Sequence, residues 1–194
     1  MDFLMIQCIR GIVSLPSEEE AKLRKHLRNI PLLKGTYYLS AGQVPRRFGF
    51  IRQGLCRYLY IDRKGTEYTK NFIPEGQFIN SYSAMKTGEP SQMYIEALED
   101  CMIEDISYAD WKAIRSGHPC WNQLLVIILE KAFAVKEKRE RELLLLEAGE
   151  RYREFLREFP GLIHRVKQHQ IASYLGISPV SLSRIRHHGS QDPE

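Results

Sequence analysis

The chain has no long hydrophobic run. Its longest purely apolar stretch is LLVIIL, Leu124–Leu129, far short of the roughly 20 residues that carry a helix across a bilayer. No membrane span is expected. The N-terminus, MDFLMIQCIRGIV, has an acid at position 2 and Arg10 inside its apolar stretch. That does not fit a secretory signal, so the expected compartment is the cytoplasm. Cysteine is scarce. The four, at 8, 56, 101 and 120, have no CxxC spacing, which argues against a disulfide framework or a structural zinc site and leaves small buried apolar residues. Histidine is missing between His26 and His118, so strands in that interval offer no imidazole set for a metal. No nucleophile–base pair and no phosphate-binding loop stands out. No metal, no cofactor and no enzyme activity is expected.

What is present is an uneven charge. Residues 151–188 hold seven Lys/Arg against two Glu, and four of the six histidines, whereas residues 1–150 hold 21 basic against 20 acidic residues. A basic C-terminal segment on a near-neutral body points to a polyanion partner. A solvated basic face is the plainer alternative.

The pattern along the chain is that of an α+β protein. SEEE predicts a helix with Ser17 as N-cap and Glu20 at the third position, running to about Asn29. From Lys34 to about Asp105, short runs rich in Tyr, Phe, Ile and Thr alternate with glycines at 35, 42, 54, 65, 76 and 88. RYLYID alternates with period two. Such spacing is the signature of an antiparallel sandwich or barrel. Ser107 is a candidate N-cap for a short helix. A much longer helix is predicted from Pro119 to about Glu147. Its apolar positions Trp121, Leu125, Ile128, Ala132 and Val135 step by four and three, a seam suited either to packing on the chain's own sheet or to a dimer. The charged run Lys136–Glu142 interrupts that seam and is the expected flexible zone. Gly149 breaks the pattern, and RYREFLREFP forms a further short helix. The last residues, from Gly189, read as a frayed tail.

IASYLGISPVSLSRIR (171–186) reads as two helices and a sharp turn. Ile171, Leu175, Ile177, Leu182 and Ile185 fall on inward positions, and Ala172 sits where the helices cross. Gly176 supplies a left-handed turn. Ser178 caps the second helix, with Pro179 at its first position. Pro179, Val180, Ser183, Arg184 and His187 remain outward. Such a helix end suits a major groove, with Arg184 on guanine and Val180 on a thymine methyl. Lys167, Gln168, His169, Ser178 and Ser181 are candidate DNA contacts beside them, mainly to phosphate. An ordinary helical hairpin in a bundle is the competing reading.

The order of these elements resembles the Crp/Fnr superfamily over about residues 15–188. EGQFINSYSAMKTGEPSQMYIEALEDCMIEDIS (75–107) resembles the last third of that family's β-roll, and QHQIASYLGISPVSLSRIR its DNA-reading unit. The resemblance implies a β-roll of jelly-roll type at 1–118, a dimerisation helix at 119–148 and a helix-turn-helix at 149–194. It implies a homodimer on a near-palindromic operator in double-stranded DNA, with RNA polymerase as a further partner. Pro179, Val180 and Arg184 take the base-reading positions. Cyclic-nucleotide binders place a Glu, an Arg and a Ser or Thr where this chain has Ser81, Ser91 and Gln92. Cyclic AMP is therefore not the expected effector. The candidate pocket residues for some other small molecule are Asn80, Ser81, Tyr82, Ser91, Gln92 and Tyr94. Only Cys8 lies where redox members carry cluster-binding cysteines, and no haem ligand pair is apparent. The family's wing hairpin has no counterpart after His188, so backbone contacts of that kind are absent or fall to residues 160–168. A sensor or interaction module without sequence-specific DNA binding stays open.

Overall fold

The computed structural model describes residues 3–188, and the tail expected from Gly189 on lies outside them. Helices α1 (Leu4–Arg10) and α2 (Ser17–His26) lead into strands β1 (Arg28–Leu32), β2 (Tyr37–Leu39), β3 (Arg47–Gln53), β4 (Cys56–Ile61), β5 (Glu67–Ile73) and β6 (Phe78–Ile79). Helix α3 (Tyr82–Thr87), strands β7 (Tyr94–Ala97) and β8 (Cys101–Ser107), and helix α4 (Tyr108–Arg115) follow. Helices α5 (Cys120–Leu145), α6 (Ala148–Glu158), α7 (Gln168–Leu175) and α8 (Pro179–His188) end the described chain, with one 3-10 turn at Leu162–His164. Two compact units result. One holds the residues up to Tyr60 and Asn71–Glu130; the other holds Ile61–Lys70 and the residues from Lys131 on. Helix α5 runs from the first into the second.

Two four-stranded sheets, ordered β1-β8-β3-β6 and β2-β7-β4-β5, form a sandwich that belongs to the first unit, apart from the β4–β5 hairpin residues Ile61–Lys70. Pairs β1–β8, β3–β8, β3–β6, β2–β7 and β4–β7 are antiparallel. Ile51, Ile79 and Ile103 from one sheet meet Leu39, Ile95 and Ala97 from the other. The outer face of the first sheet carries Phe48, Phe50 and Ile106, and α1, α2, α4 and the start of α5 cover it. Trp111 stacks on Phe48 at 5.1 Å, and Trp121 meets Trp111 edge-on at 5.8 Å. Each large apolar side chain buried this way contributes about 1.5–3 kcal/mol.

Strand β8 is therefore buried on both faces, although its sequence carries two acids. Glu104, fully buried, accepts the Leu4 and Met5 amide hydrogens at 2.8 and 2.6 Å and pairs with Arg52 at 3.0 Å. A buried carboxylate needs such partners. Gly54, at φ +94°, closes the turn before β4; an added Cβ would lie 2.6 Å from Cys101 Sγ. The Cys56 and Cys101 sulfurs, 45 residues apart in sequence, lie 3.9 Å apart.

The N-terminal part differs from the sequence reading in three places. Helix α1 was not expected; Met5, Ile6 and Ile9 bury its face. Helix α2 starts at Ser17 itself, with Pro16 at the cap position and no side-chain cap. Glu20 instead pairs with Arg10 and Arg24. The helix stops at His26 because Arg28–Leu32 pair with β8, and Pro31 is tolerated there because β1 is an edge strand.

Candidate nucleic-acid interface and effector cleft

The second unit builds a helix-turn-helix from α7 and α8. Ile171, Ala172, Leu175 and Leu182 are buried between and beneath the two helices, while Ile177 and Ile185 are half-buried. Gly176 adopts φ +68°, and the Ile177 amide donates to the Ala172 carbonyl at 3.0 Å. That left-handed residue reverses the chain without a Cβ penalty. At the start of α7, the Gln170 side chain accepts the Lys167 amide hydrogen at 3.0 Å. At the start of α8, Ser178 Oγ accepts the Ser181 amide hydrogen at 3.1 Å.

Solvent meets the other side of this pair. Lys167, Gln168 and His169 are exposed at the opening of α7. Ser178, Pro179, Val180, Arg184 and His187 are exposed on α8, with Ser181 and Ser183 partly so. Val180 keeps 62% of its surface accessible. The ten residues singled out in the sequence thus line the solvent side of the α7–α8 pair. A cationic fork, small hydroxyls and one apolar group on a helix end match the functional groups displayed in a major groove.

The pair rests on an aromatic base. Phe155 of α6 and Phe159, just past its end, pack on Tyr174 of α7 at 5.6 and 5.8 Å. Burial pushes the Tyr174 hydroxyl above the usual phenol range. Arg151 donates to the carbonyls of Leu175 and Leu146 at 3.0 and 2.5 Å, satisfying acceptors that helix ends leave open. Gly149 lies inside the first turn of α6; the break falls at Leu146–Glu147. The charged run Lys136–Glu142 is not a flexible gap. It continues α5, with Lys138 paired to Glu158 at 2.7 Å and Arg139 seated over the Tyr174 ring at 3.8 Å. Ser173, on the outer side of α7, accepts the Thr69 amide hydrogen at 2.8 Å and donates to the Glu67 carbonyl at 2.9 Å. The start of β5 is thereby fixed to α7, a link between residues 104 and 106 positions apart that no local pattern announces.

The seam residues are divided. Trp121 and Leu125 are buried in the chain's own core, and the Trp121 indole donates to Glu19 at 2.7 Å. Ile128 packs against the same cluster. Ala132 and Val135 are exposed, as are Val126 and Phe133, which lie seven residues apart on α5. The sheet's outer face needs a cover, and the first turns of α5 supply it.

In the first unit a cleft of about 420 Å³ is lined by Tyr38, Gln43, Arg46, Arg47, Asn80 and Ser81, with three apolar residues beside them. Its floor is ionic. Fully buried Asp105 accepts from both the Tyr38 hydroxyl and Arg47. Burial pushes the Asp105 carboxyl up, and Arg47 and Tyr38 pull it back. Of the six pocket candidates, Asn80 and Ser81 line the cleft. Ser91 is buried, with its hydroxyl bonded to the Met93 backbone and 3.1 Å from Ser81 Oγ. Tyr82 packs under the helices, Tyr94 rests on Tyr37, and Gln92 is exposed. The cleft residues missed in the sequence are Tyr38 of β2, Gln43 and Arg46 of the β2–β3 connection, and Arg47 at the start of β3. Their signal was a Gly–Pro loop ending in two arginines, AGQVPRR.

Residues 30–118 match the cyclic nucleotide-binding domain family. No curated protein matches the chain in sequence. Among solved structures, the c-di-GMP-responsive global regulator CLP of Xanthomonas campestris is similar at TM-score 0.74 and 14% identity, over 90% of this chain and 92% of that one. FixK2 from Bradyrhizobium japonicum gives 0.75 and 15%, over 84% and 83%. A Crp/Fnr-family transcriptional regulator from Eubacterium rectale gives 0.73 and 15%, over 91% and 84%. With its β-sandwich, long helix and helix-turn-helix already in place, the chain has the fold of the Crp/Fnr transcription regulators, with a cyclic nucleotide-binding-type domain at residues 30–118.

Proposed function

We propose that the chain is a dimeric, DNA-binding transcription regulator. A small molecule sensed in the β-sandwich biases the orientation of the reading heads through α5. The observation that carries this reading is the α7–α8 pair. Its inner side is closed by Ala172, Leu175 and Leu182, and its outer side presents Lys167, His169, Ser178, Val180 and Arg184 to solvent. Two such heads about one helical turn of DNA apart, ~34 Å, require a near-palindromic site. Selection from a random duplex library tests it. The expected result is an inverted repeat with half-sites 10–11 base pairs apart in centre, or a multiple of that spacing. Recovery of no repeat, or binding equally tight to every duplex, refutes it.

The effector is a small molecule other than cyclic AMP. Where cyclic-nucleotide binders hold an Arg for the phosphate, Ser91 is 2% exposed and bonded to backbone. The nearby cleft at Arg46, Asn80 and Ser81 suits a small anion with hydroxyl or amide groups. An effector shifts the equilibrium only by its differential affinity for the two states. Thermal-shift screening, followed by DNA titration with each stabilising compound, tests this assignment. A stabilising anion that leaves Arg46→Ala unaffected refutes the site.

A further inference from the structure

We propose that the hairpin Ile61–Lys70 is a second DNA-contacting element, whose tip, Arg63–Lys64, grips the phosphate backbone beside the reading helices. The proposal rests on the DNA-binding reading above.

Three observations lead to it. First, the hairpin tip belongs to the same compact unit as the helix-turn-helix. Its anchor is Ser173, which uses its hydroxyl both to accept from Thr69 and to donate to Glu67. Second, the anchor lies on a relevant face. Ser173 is one turn beyond His169, and residues four apart share a face of a helix. His169 is exposed at the end of α7 that also presents Lys167 and Gln168. Third, the tip is preorganised and cationic. Asp62 Oδ1 accepts the Lys64 and Thr66 amide hydrogens at 2.8 and 2.9 Å, and Tyr68 donates to Oδ2 at 3.2 Å. These bonds, Thr66 foremost, hold the Asp62 carboxyl below its usual range and tie it to the turn. Arg63 and Lys64 project from that turn, both exposed, and among the described residues neither joins an ion pair.

The scale is right for a groove. A strand rises about 3.3 Å per residue, so the tip lies on the order of 10 Å along the hairpin from the Ser173 anchor, close to the width of a major groove. Lysine and arginine held there act on phosphate oxygens of any sequence. They add affinity and fix register without reading bases.

The test is a salt series on the selected operator, by fluorescence anisotropy, with wild type, R63A/K64A, S173A and the triple variant. Each lost phosphate contact lowers the slope of log affinity against log salt by about 0.9, so the double variant should lose about 1.8 for each protomer engaged, and on the order of ten-fold or more in affinity at 0.1 M salt. S173A should lose affinity in the same direction by releasing the hairpin, and the triple variant should add little to it. Hydroxyl-radical footprints should lose protection at the same flanking phosphates in both. Base preference should not change. Wild type binding with the slope of R63A/K64A overturns this proposal alone. Wild type binding no duplex overturns it together with the DNA-binding reading.

Discussion

The guanidinium of Arg139 lies 3.8 Å from the centre of the Tyr174 ring. One residue belongs to the long helix and the other to the first helix of the α7–α8 pair, so this contact ties α5 to α7 directly. Desolvated cation–ring pairs are worth about 2 kcal/mol, exposed ones less. Arg139→Ala should lower stability to chemical denaturation by about 1–2 kcal/mol. A double-mutant cycle with Tyr174→Leu should return a coupling of about 1 kcal/mol. Zero coupling would show that the two side chains merely coexist. A change in DNA affinity in the same variants would place the contact on the route from sensor to head.

Arg184 and Val180 face solvent on the same helix end, yet their losses should differ in kind. A bidentate contact to guanine discriminates by about 1–3 kcal/mol. Arg184→Ala should therefore weaken operator binding ten- to a hundred-fold and relax preference at one base pair per half-site. Val180→Ala should cost less, since only a methyl contact is lost. A competition assay against operators changed at single positions distinguishes the two. Equal loss on specific and random duplexes would assign Arg184 to phosphate instead.

Much of the α7–α8 geometry was legible in the sequence because its logic is local. Gly176, Ser178 and the spacing from Ile171 to Leu182 each follow from what two short helices and a tight turn require. The β-sandwich was legible from glycine spacing, but not the role of β8. Its Glu104 and Asp105 look like surface residues, and only the N-terminus of α1, Arg52, Arg47 and Tyr38 make them inner ones. The charged run Lys136–Glu142 misled for the same reason. Charges in a helix suggest solvent until their partners, Glu158 and Tyr174, arrive from later in the chain. Ser173 and the hairpin meet across about 100 residues, beyond the reach of any periodicity.

Glu19 supplies a test by pH. Its carboxylate accepts from Lys22 and from the Trp121 indole, and these bonds, Lys22 first, hold it below the ordinary value of 4.5. A carboxyl depressed by folding stabilises the native state above its unfolded value. That contribution disappears as pH falls through the folded value. Glu19→Gln keeps an acceptor for Trp121 but no charge. The stability gap between wild type and this variant should be full above about pH 4.5 and close as pH is lowered further. A gap that stays constant down to pH 2.5 would show that shape, not charge, is what the site requires.

Gly54 tests the turn that positions β4. Its φ of +94° is unfavourable for any residue with a Cβ, and that atom would sit within 2.9 Å of Asp100 O and Cys101. Left-handed backbone costs about 1–2 kcal/mol, and forcing atoms into a packed core another 1–3. Gly54→Ala should lose about 2–5 kcal/mol. Gly65→Ala shares the backbone strain but meets open space, so it should lose only the smaller part. Similar losses at both positions would mean that the backbone term alone decides.

Phe133 decides what covers the exposed part of α5. It keeps 66% of its surface accessible, and Val126, seven residues earlier on the same face, keeps 53%, an expensive display for one chain in water. A second copy is the occupant that the regulator reading requires, since paired α5 helices would bury these residues against each other. The buried positions Trp121 and Leu125 cannot serve that purpose, because the chain's own sheet already holds them. Phe133→Glu should therefore halve the mass found by light scattering after size exclusion while leaving the melting of the β-sandwich near wild type. Loss of the dimer should also abolish preference for two half-sites over one, because a single head gains nothing from the second. A wild type already monomeric at tens of micromolar, or a Phe133→Glu dimer as tight as wild type, would move the interface off this face of α5.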